Sequence, residues 1–265
     1  MLGNMGGLPA EARRSRMRSL VYKRGFALVT DLAKLFEISE VTVRADLDAL
    51  AEEGSVRRVH GGAMTVGDVQ GHQTSFDEAA QERAYEKELI GRAAAGLVES
   101  HQVVAVDAGT TSMAIARALV KRTELRDITV VTNALNIALE LEQAIPRVTV
   151  IVTGGTLRPA LHCLVDPLAG TVLNRIRADI AFVGCNGVDV TAGVTNISLA
   201  EADVKRQIIQ NATRTVLVAD SSKLGLVRAS RICPLSAVTV LVTDDSADPA
   251  AISAVRDVGV EVVVA

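Results

Sequence analysis

The stretch from Ser39 to Ala63 constrains the fold more than any other part of this 265-residue chain. Ser39 is a residue type that caps helices, because its hydroxyl accepts a hydrogen bond from a free backbone N–H. Apolar residues then recur at helical spacing, which predicts a helix with one buried stripe. They are Val43, Leu47 and Leu50. Gly54 ends this helix, since glycine tolerates the left-handed conformation found at helix C-termini.

A short helix precedes this one and a basic hairpin follows it. Thr30 opens the first helix, and the tight turn of residues 37–39 leads into the second. After Gly54 comes a β-like run, Ser55–His60, which is closed by two glycines. Two helices, a tight turn and a basic hairpin predict a winged helix-turn-helix, whose second helix enters the DNA major groove while the wing lies on the backbone. The alternative is an ordinary solvated surface, and the order of the parts favours DNA.

The predicted partner of this module is double-stranded operator DNA. Thr42 and Arg44 would approach base edges or nearby phosphates, and the wing residues would hold the backbone. The candidate DNA contacts are Ser39, Thr42, Arg44, Arg57, Arg58 and His60. Residues 1–63 contain ten basic and eight acidic side chains, although the whole chain has a net charge of −3. This modest positive charge predicts site-specific binding rather than avid general binding.

Composition restricts the rest of the chain. Hydrophobic residues make up 49% of the sequence and aromatic residues only 2%, so the core is aliphatic, which suits parallel strands buried on both faces. Three scattered cysteines fit neither a disulfide framework nor a zinc site, so we expect a reduced, cytoplasmic setting with no metal and no cofactor. No apolar run is long enough to cross a membrane, and the N-terminus lacks a signal-peptide pattern.

The chain is predicted to be an α/β protein of two domains. A winged helix-turn-helix occupies residues 10–63, with the helix-turn-helix at about 30–53 and the wing at 55–63. Residues 64–75 have no periodicity and read as a linker. Over residues 76–265 a long polar helix, Asp77–Glu99, precedes apolar runs that alternate with helical segments. That alternation predicts a Rossmann-like parallel-sheet domain with helices on both sides.

Ligands bind beyond the carboxyl ends of the strands in such sheets, and five of those ends carry polar or small residues. At the first, Gly109 lets a ligand approach the backbone, and Thr110 and Thr111 stand beside the free N–H groups of a helix start, which suits a phosphate. An ordinary capped turn is the alternative reading. The candidate effector-binding residues are Asp107, Gly109, Thr110, Thr111, Asn133, Gly154, Gly155, Asp189 and Lys223. Together they predict a site for a small phosphorylated metabolite.

The run VTVRADLDALAEEGSVRRVHGGA resembles the DNA-binding domain of DeoR-type transcriptional regulators, in which a T-I-R-R-D-L helix precedes a wing ending R-V-H-G-G-A. The later runs DAGTT, TN, GGTLR, NGVD, VKR and ADSSKL are similar to motifs of that family's sensor domain. The resemblance implies a repressor of sugar or carbohydrate catabolism genes whose operator affinity changes on binding a phosphorylated sugar. It also implies a sensor fold similar to ribose-phosphate isomerases and glucosamine-phosphate deaminases. Winged helices usually read paired half-sites as two-fold dimers, so we expect a homo-oligomer, a dimer or higher.

The chain departs from the family pattern at three positions. Ala45 stands where a second arginine is usual, so the operator sequence of relatives is not carried over. Cys163 replaces a serine, and Asp166 replaces a glycine. A carboxylate beside a phosphate is repulsive, so either Asp166 points away or the effector has a hydroxyl or amine there. His162 and Cys163 have no third partner at metal or nucleophile spacing, and we expect both to pack in the interior.

Two other function classes remain open from the sequence. One is a sugar-phosphate isomerase or deaminase with an accessory DNA-binding domain, for which Asp107 remains a candidate base. The related isomerases use a D-G-A-D-E loop, but here Asn186 and Val190 stand where carboxylates would be. Acid–base groups contribute roughly 100- to 10,000-fold, so their loss predicts binding without turnover and no catalytic residue. The other class pairs the DNA-binding module with a purely structural domain, against which the polar strand ends argue.

Overall fold

A computed structural model describes residues 9–24, 26–59, 61–65, 75–165 and 167–265 of the chain. The chain divides into two compact units, of which the first ends at Thr74 and the second is Ser75–Ala265. His60, Asp166 and residues 66–74 of the predicted linker lie outside the described residues.

The described part of the first unit contains three helices and a three-stranded antiparallel sheet. In chain order these are α1 (Ala10–Arg24), β1 (Phe26–Leu28), α2 (Val29–Phe36), α3 (Glu40–Glu52), β2 (Val56–Val59) and β3 (Gly62–Thr65). Strand β3 lies between β1 and β2, and it extends to Thr65, past the predicted end of the wing at Ala63. The predicted apolar stripe of α3 is buried in a core that also contains Met17 and Phe36. The winged helix-turn-helix architecture is confirmed.

The second unit is built on a seven-stranded parallel sheet. Its strands are β4 (Val103–Val106), β5 (Ile128–Thr132), β6 (Val148–Val152), β9 (Ala178–Gly184), β12 (Ala212–Val218), β14 (Val240–Thr243) and β15 (Glu261–Val264). Their order across the sheet is β15-β14-β12-β9-β4-β5-β6, and each neighbouring pair is parallel. Successive residues of one strand enter different cores: Val104 and Val106 pack on one face and Ala105 on the other. The predicted fold class is confirmed.

Helices cover both faces of this sheet. They are α4 (Phe76–Gln81), α5 (Ala84–Ala95), α6 (Thr110–Lys121), α7 (Leu135–Leu141), α8 (Pro167–Leu173), α9 (Leu199–Gln210) and α10 (Pro249–Asp257). Ile90, Ile115 and Ile137 bring α5, α6 and α7 into one core, while Leu173 and Val204 bring α8 and α9 into the core of the opposite face. No helix among the described residues is long and apolar enough to span a bilayer.

The predicted long helix Asp77–Glu99 is wrong. The structure has two helices instead, α4 and α5, and the second already ends at Ala95. Arg83 separates them with a left-handed backbone, φ 51°, which interrupts the regular hydrogen bonding of a helix. No glycine or proline stands at this break, so the sequence carries no signal for it.

Two small antiparallel elements were not predicted from the sequence. One is a hairpin of β7 (Thr156–Arg158) and β8 (Cys163–Val165), and the other is a sheet of β10 (Gly187–Asp189), β11 (Gly193–Asn196) and β13 (Ser230–Cys233). Strands of three or four residues are too short to display a periodic pattern. Both elements lie in the connections after β6, β9 and β12, next to the predicted ligand-binding residues.

Candidate functional site

The start of α3 is organised by Ser39. Its Oγ accepts a hydrogen bond from the Thr42 backbone N–H at 3.1 Å, and the Thr42 hydroxyl lies 2.9 Å from the same oxygen. Ser39 therefore caps the helix, as predicted, and also orients Thr42. Val41 is 73% exposed beside them, so the start of α3 presents an apolar side chain to solvent.

Arg44 lies on the exposed face of α3. Its guanidinium pairs with Glu40 one turn earlier, with Nη2 and Oε2 2.7 Å apart, and its side chain is 53% exposed. Exposed ion pairs contribute only about 0.2–1 kcal/mol, so a phosphate or a guanine edge can replace Glu40 at little cost. The structure thus places Arg44 on an accessible face, and its contact with DNA stays a prediction.

Arg58 joins the wing to α3. Its Nε lies 2.6 Å from Asp48 Oδ1, and its Nη1 donates to the Gly62 carbonyl across the hairpin. The residue therefore sets the position of the wing relative to α3 in addition to any contact it makes with DNA. Arg57 occupies β2 opposite Met64, and its side chain, like all of His60, lies outside the described residues.

A partly buried ion pair that was not predicted from the sequence joins α1 to α3. The Arg13 guanidinium donates to both oxygens of Asp46, from Nε at 2.6 Å and from Nη2 at 3.1 Å. Asp46 lies at helical spacing between Val43 and Leu50 of the buried stripe. This spacing is the sequence feature that indicates a buried position for Asp46. Asp46 therefore attaches α3 to α1 and does not face solvent.

In the second unit, Asp107 follows β4 and forms a buried ion pair with Lys205 of α9. The side chains are 2% and 5% exposed, and Asp107 also accepts from the Gly184 N–H at 3.2 Å. Burial raises the pKa of Asp107, and the Lys205 ammonium opposes that rise. Burial lowers the pKa of Lys205, but the carboxylate more than offsets this and leaves it above its ordinary value. Lys205, part of the VKR run, was not among the predicted site residues.

The start of α6 keeps the features of an anion site. Gly109 precedes the helix with φ 153°, and a Cβ built there would meet only Ser112 Oγ, at 3.9 Å. Thr110 and Thr111 form the first turn as predicted. The Ser112 hydroxyl is buried and finds no hydrogen-bond partner among the described residues. Free backbone N–H groups and hydroxyls at a helix start bind phosphate, so this geometry suits an anion. Ser112 was not among the predicted site residues.

The loop after β12 is a short 3₁₀ turn, Ser221–Lys223, held by two buried aspartates. Asp220 accepts from the Ser222 N–H at 3.1 Å, and Asp244, which follows β14, accepts from the Ser221 N–H at 2.6 Å and its hydroxyl at 2.9 Å. Lys223 Nζ lies 4.0 Å from Asp220 Oδ2. The structure therefore places the predicted Lys223 beside a carboxylate at a strand end.

Two further cations from outside the predicted set lie near the same loop, and one of them, Arg83, contacts its carboxylates. Arg83 Nη2 lies 2.9 Å from Asp244 Oδ1, and its Nε lies 3.6 Å from Asp220 Oδ1. Burial lowers the pKa of Lys87, and the nearby Asp220 opposes that change. Burial also raises the pKa of the Cys185 thiol to about 12, while both Lys205 and Lys223 oppose the rise. The four cations Arg83, Lys87, Lys205 and Lys223 therefore surround the ends of β4, β9, β12 and β14, and we call them the cationic edge.

Four predicted residues have clear structural roles. Asn133 Oδ1 accepts from the Ala108 N–H and its Nδ2 donates to the Leu164 carbonyl, both at 3.1 Å, so it braces two loops. Asp189 Oδ1 accepts from the N–H groups of residues 191 and 192, which closes the β10–β11 turn. A Cβ at Gly155 would lie 2.4 Å from the Val165 carbonyl, and one at Gly154 would lie 3.3 Å from the Leu168 Cβ. Ligand contacts by these four residues stay predictions.

His162 and Cys163 face the interior. Cys163 is fully buried, and burial raises the pKa of its thiol to about 12. The His162 ring is half-buried with its centroid 5.3 Å from that of Phe76. No group of three or more histidine, cysteine or acidic side chains within the described part of the chain is placed to hold a metal ion.

Comparison with known proteins covers both units. A model of the DeoR C-terminal sensor domain matches residues 82–245, and one of the DeoR-like helix-turn-helix domain matches residues 13–68. The chain is 36% identical to the HTH-type transcriptional regulator GlpR of Haloferax volcanii, covering 97% of this chain and 98% of that protein. It is 30% identical to the HTH-type transcriptional repressor CsqR of Escherichia coli, with 97% and 96% covered. Ribose 5-phosphate isomerase A of Methanocaldococcus jannaschii aligns with a TM-score of 0.39 at 19% identity over 52% of each chain.

Proposed function

Because the chain belongs to the DeoR family of DNA-binding transcriptional regulators, we propose that it is a repressor whose operator affinity changes when a phosphorylated sugar or related metabolite binds its second unit. Its targets on this proposal are genes of sugar or carbohydrate catabolism. The repressor role agrees with the name of the relative CsqR.

The DNA-binding half of the proposal depends on the exposed face of α3. Arg44 and Thr42 would contact base edges or adjacent phosphates in the major groove, with Arg58 positioning the wing over the backbone. Phosphate contacts release counterions, so binding weakens as the salt concentration rises. A homo-oligomer would place two such helices on paired half-sites.

The cationic edge is the observation that carries the sensor half. Lys223, Lys205 and the open start of α6 supply positive charge and free N–H groups, which suit a phosphate. The carboxylates of Asp107 and Asp220 are almost fully buried and hold Lys205 and Lys223 at these strand ends. Ammonium groups and free N–H groups at the carboxyl edge of a parallel sheet match a ligand that carries an anion.

The proposed role is binding without turnover. A general base must reach the proton that it removes, but Asp107 is 2% exposed and its charge is paired with Lys205. The curated relatives compared above are named as transcriptional regulators. Hydrolysis, isomerisation or deamination of a sugar phosphate at a rate well above background would contradict this assignment.

Fluorescence anisotropy on the DNA upstream of the protein's own gene tests both halves. We expect tight, salt-sensitive binding to this DNA, weak binding to a scrambled duplex, and release by one member of a panel of hexose and pentose phosphates. Equal affinity for the scrambled duplex would reject the operator-binding half. Operator binding that no compound of the panel changes would reject the effector half.

A further inference from the structure

Helix α4 is the first element of the second unit, and its position depends on few contacts. None of its six described residues is buried, although Ser75 and Glu78 form a complete capping box at its start. Phe76 packs partly against the main core and the His162 ring. An element without buried side chains opens at low free energy. Polar anchors therefore have a large influence on where α4 lies.

Two side chains of the cationic edge supply such anchors. The Lys87 Nζ donates to the Ala79 carbonyl of α4 at 2.6 Å. Arg83 connects α4 to α5, and its guanidinium extends to the carboxylates of Asp244 and Asp220. Arg83 holds a left-handed backbone that a non-glycine residue seldom adopts, so the surrounding contacts must stabilise it.

The carboxylate of Asp244 is shared between Arg83 and the loop of the proposed effector site. Its Oδ1 accepts from Arg83 and from the Ser221 hydroxyl, each at 2.9 Å, and its Oδ2 accepts from the Ser221 N–H at 2.6 Å. The side chain is fully buried, so these bonds are not weakened by solvent. A displacement of the Ser221–Lys223 turn therefore changes the site that holds Arg83.

We propose that Arg83 is a positioning residue that couples an anion bound at the Ser221–Lys223 turn to the release of α4. This inference rests on the proposed function. A phosphate beside Lys223 attracts the Arg83 guanidinium and competes with Asp244 and Asp220 for it. Once Arg83 leaves the two carboxylates, α4 loses an anchor at the point where the chain arrives from the DNA-binding unit. The ligand shifts this equilibrium only by the difference in its affinity for the two states.

The test compares Arg83→Asn with the matched control Arg92→Gln in the full-length protein. Asparagine tolerates the left-handed backbone, so the first substitution removes the guanidinium with little added strain. Arg92 is an exposed arginine of α5, 4.0 Å from Glu88. Without ligand, we expect Arg83→Asn to speed amide hydrogen exchange of α4 and to weaken operator binding. Each effect should be about tenfold, which is a typical size for coupling between two sites. Arg92→Gln should match the wild type in both assays.

A second variant keeps the test valid if Arg83→Asn folds poorly. Arg83→Lys retains the charge near Asp220 and Asp244, so we expect it to recover most of the α4 protection and operator affinity. The inference is overturned if Arg83→Asn behaves like Arg92→Gln, or if operator affinity falls while α4 exchange stays unchanged. In the wild type, the sugar phosphate that releases operator DNA should also speed α4 exchange. A wild type unaffected by inorganic phosphate and by the whole panel rejects the effector half of the proposed function instead.

Discussion

The buried Asp107–Lys205 pair makes a quantitative prediction. Lys205→Met replaces the ammonium with an apolar group of similar length, leaving the Asp107 carboxylate with its hydrogen bond from Gly184 but without its ion-pair partner. Removing one partner of a buried pair costs about 3–5 kcal/mol, because the remaining charge is neither solvated nor paired. Both side chains are almost fully buried, so solvent screening does not reduce this figure. We therefore expect the second unit to unfold about 6–20 °C lower.

The double variant Asp107→Asn/Lys205→Met isolates the charge effect. With both charges removed, the penalty for an unpaired carboxylate disappears, so the double variant should be more stable than Lys205→Met alone. Urea unfolding followed by circular dichroism measures all four proteins of this cycle. Additive losses within about 0.5 kcal/mol would refute the reasoning, because they would show that the two groups do not interact.

The pH dependence of Lys205→Met gives a second check. Without the ammonium, burial alone raises the pKa of Asp107, so its folded-state pKa lies above its unfolded value. A group with a raised folded-state pKa destabilises the protein as the pH rises from the unfolded toward the folded pKa. Lys205→Met should therefore lose less stability, relative to wild type, near pH 5 than near pH 8. An equal loss at both pH values would contradict the buried-carboxylate explanation.

Four further predictions concern the two sites. Arg44→Ala should weaken specific operator binding by about 1–3 kcal/mol in an anisotropy titration, since it removes the guanidinium that donates to a base edge or a phosphate; an unchanged affinity would remove Arg44 from the interface. Arg58→Ala should weaken binding to all duplexes alike and flatten its salt dependence, so a selective loss on one operator would argue against a backbone contact. Lys223→Ala should spare operator binding but reduce the response to a phosphorylated effector, and a normal response would exclude the role. Burial raises the pKa of Asp244, but hydrogen bonds from Ser221 and the charge of Arg83 outweigh it and hold that pKa below its ordinary value. The stability that Asp244 contributes is therefore present above about pH 4 and lost as the pH falls further, so Asp244→Asn should flatten the fall in melting temperature between pH 5 and pH 3.

Local sequence patterns determined the architecture of both units. The cap at Ser39, the stripe from Val43 to Leu50 and the glycines of the wing predicted the helix-turn-helix and hairpin, because each signal lies within a few residues of the structure that it specifies. The aliphatic runs of the second unit likewise predicted the parallel strands, since a strand buried on both faces needs apolar residues throughout. The rule that ligands bind at the carboxyl ends of strands then located the predicted site residues.

Only the tertiary structure decided which charges meet. Asp46 and Arg13 are 33 residues apart, Asp107 and Lys205 are 98 apart, and Arg83 and Asp244 are 161 apart. No local sequence pattern encodes such partners, because residues so far apart in the sequence come into contact only through the packing of helices and strands. The left-handed break at Arg83 has the same origin: its local sequence favours a continuous helix, and two carboxylates from distant strand ends hold the side chain that interrupts it. The sequence thus determined the main helices and strands and the edge of the parallel sheet, whereas packing determined the ion pairs that give that edge its chemistry.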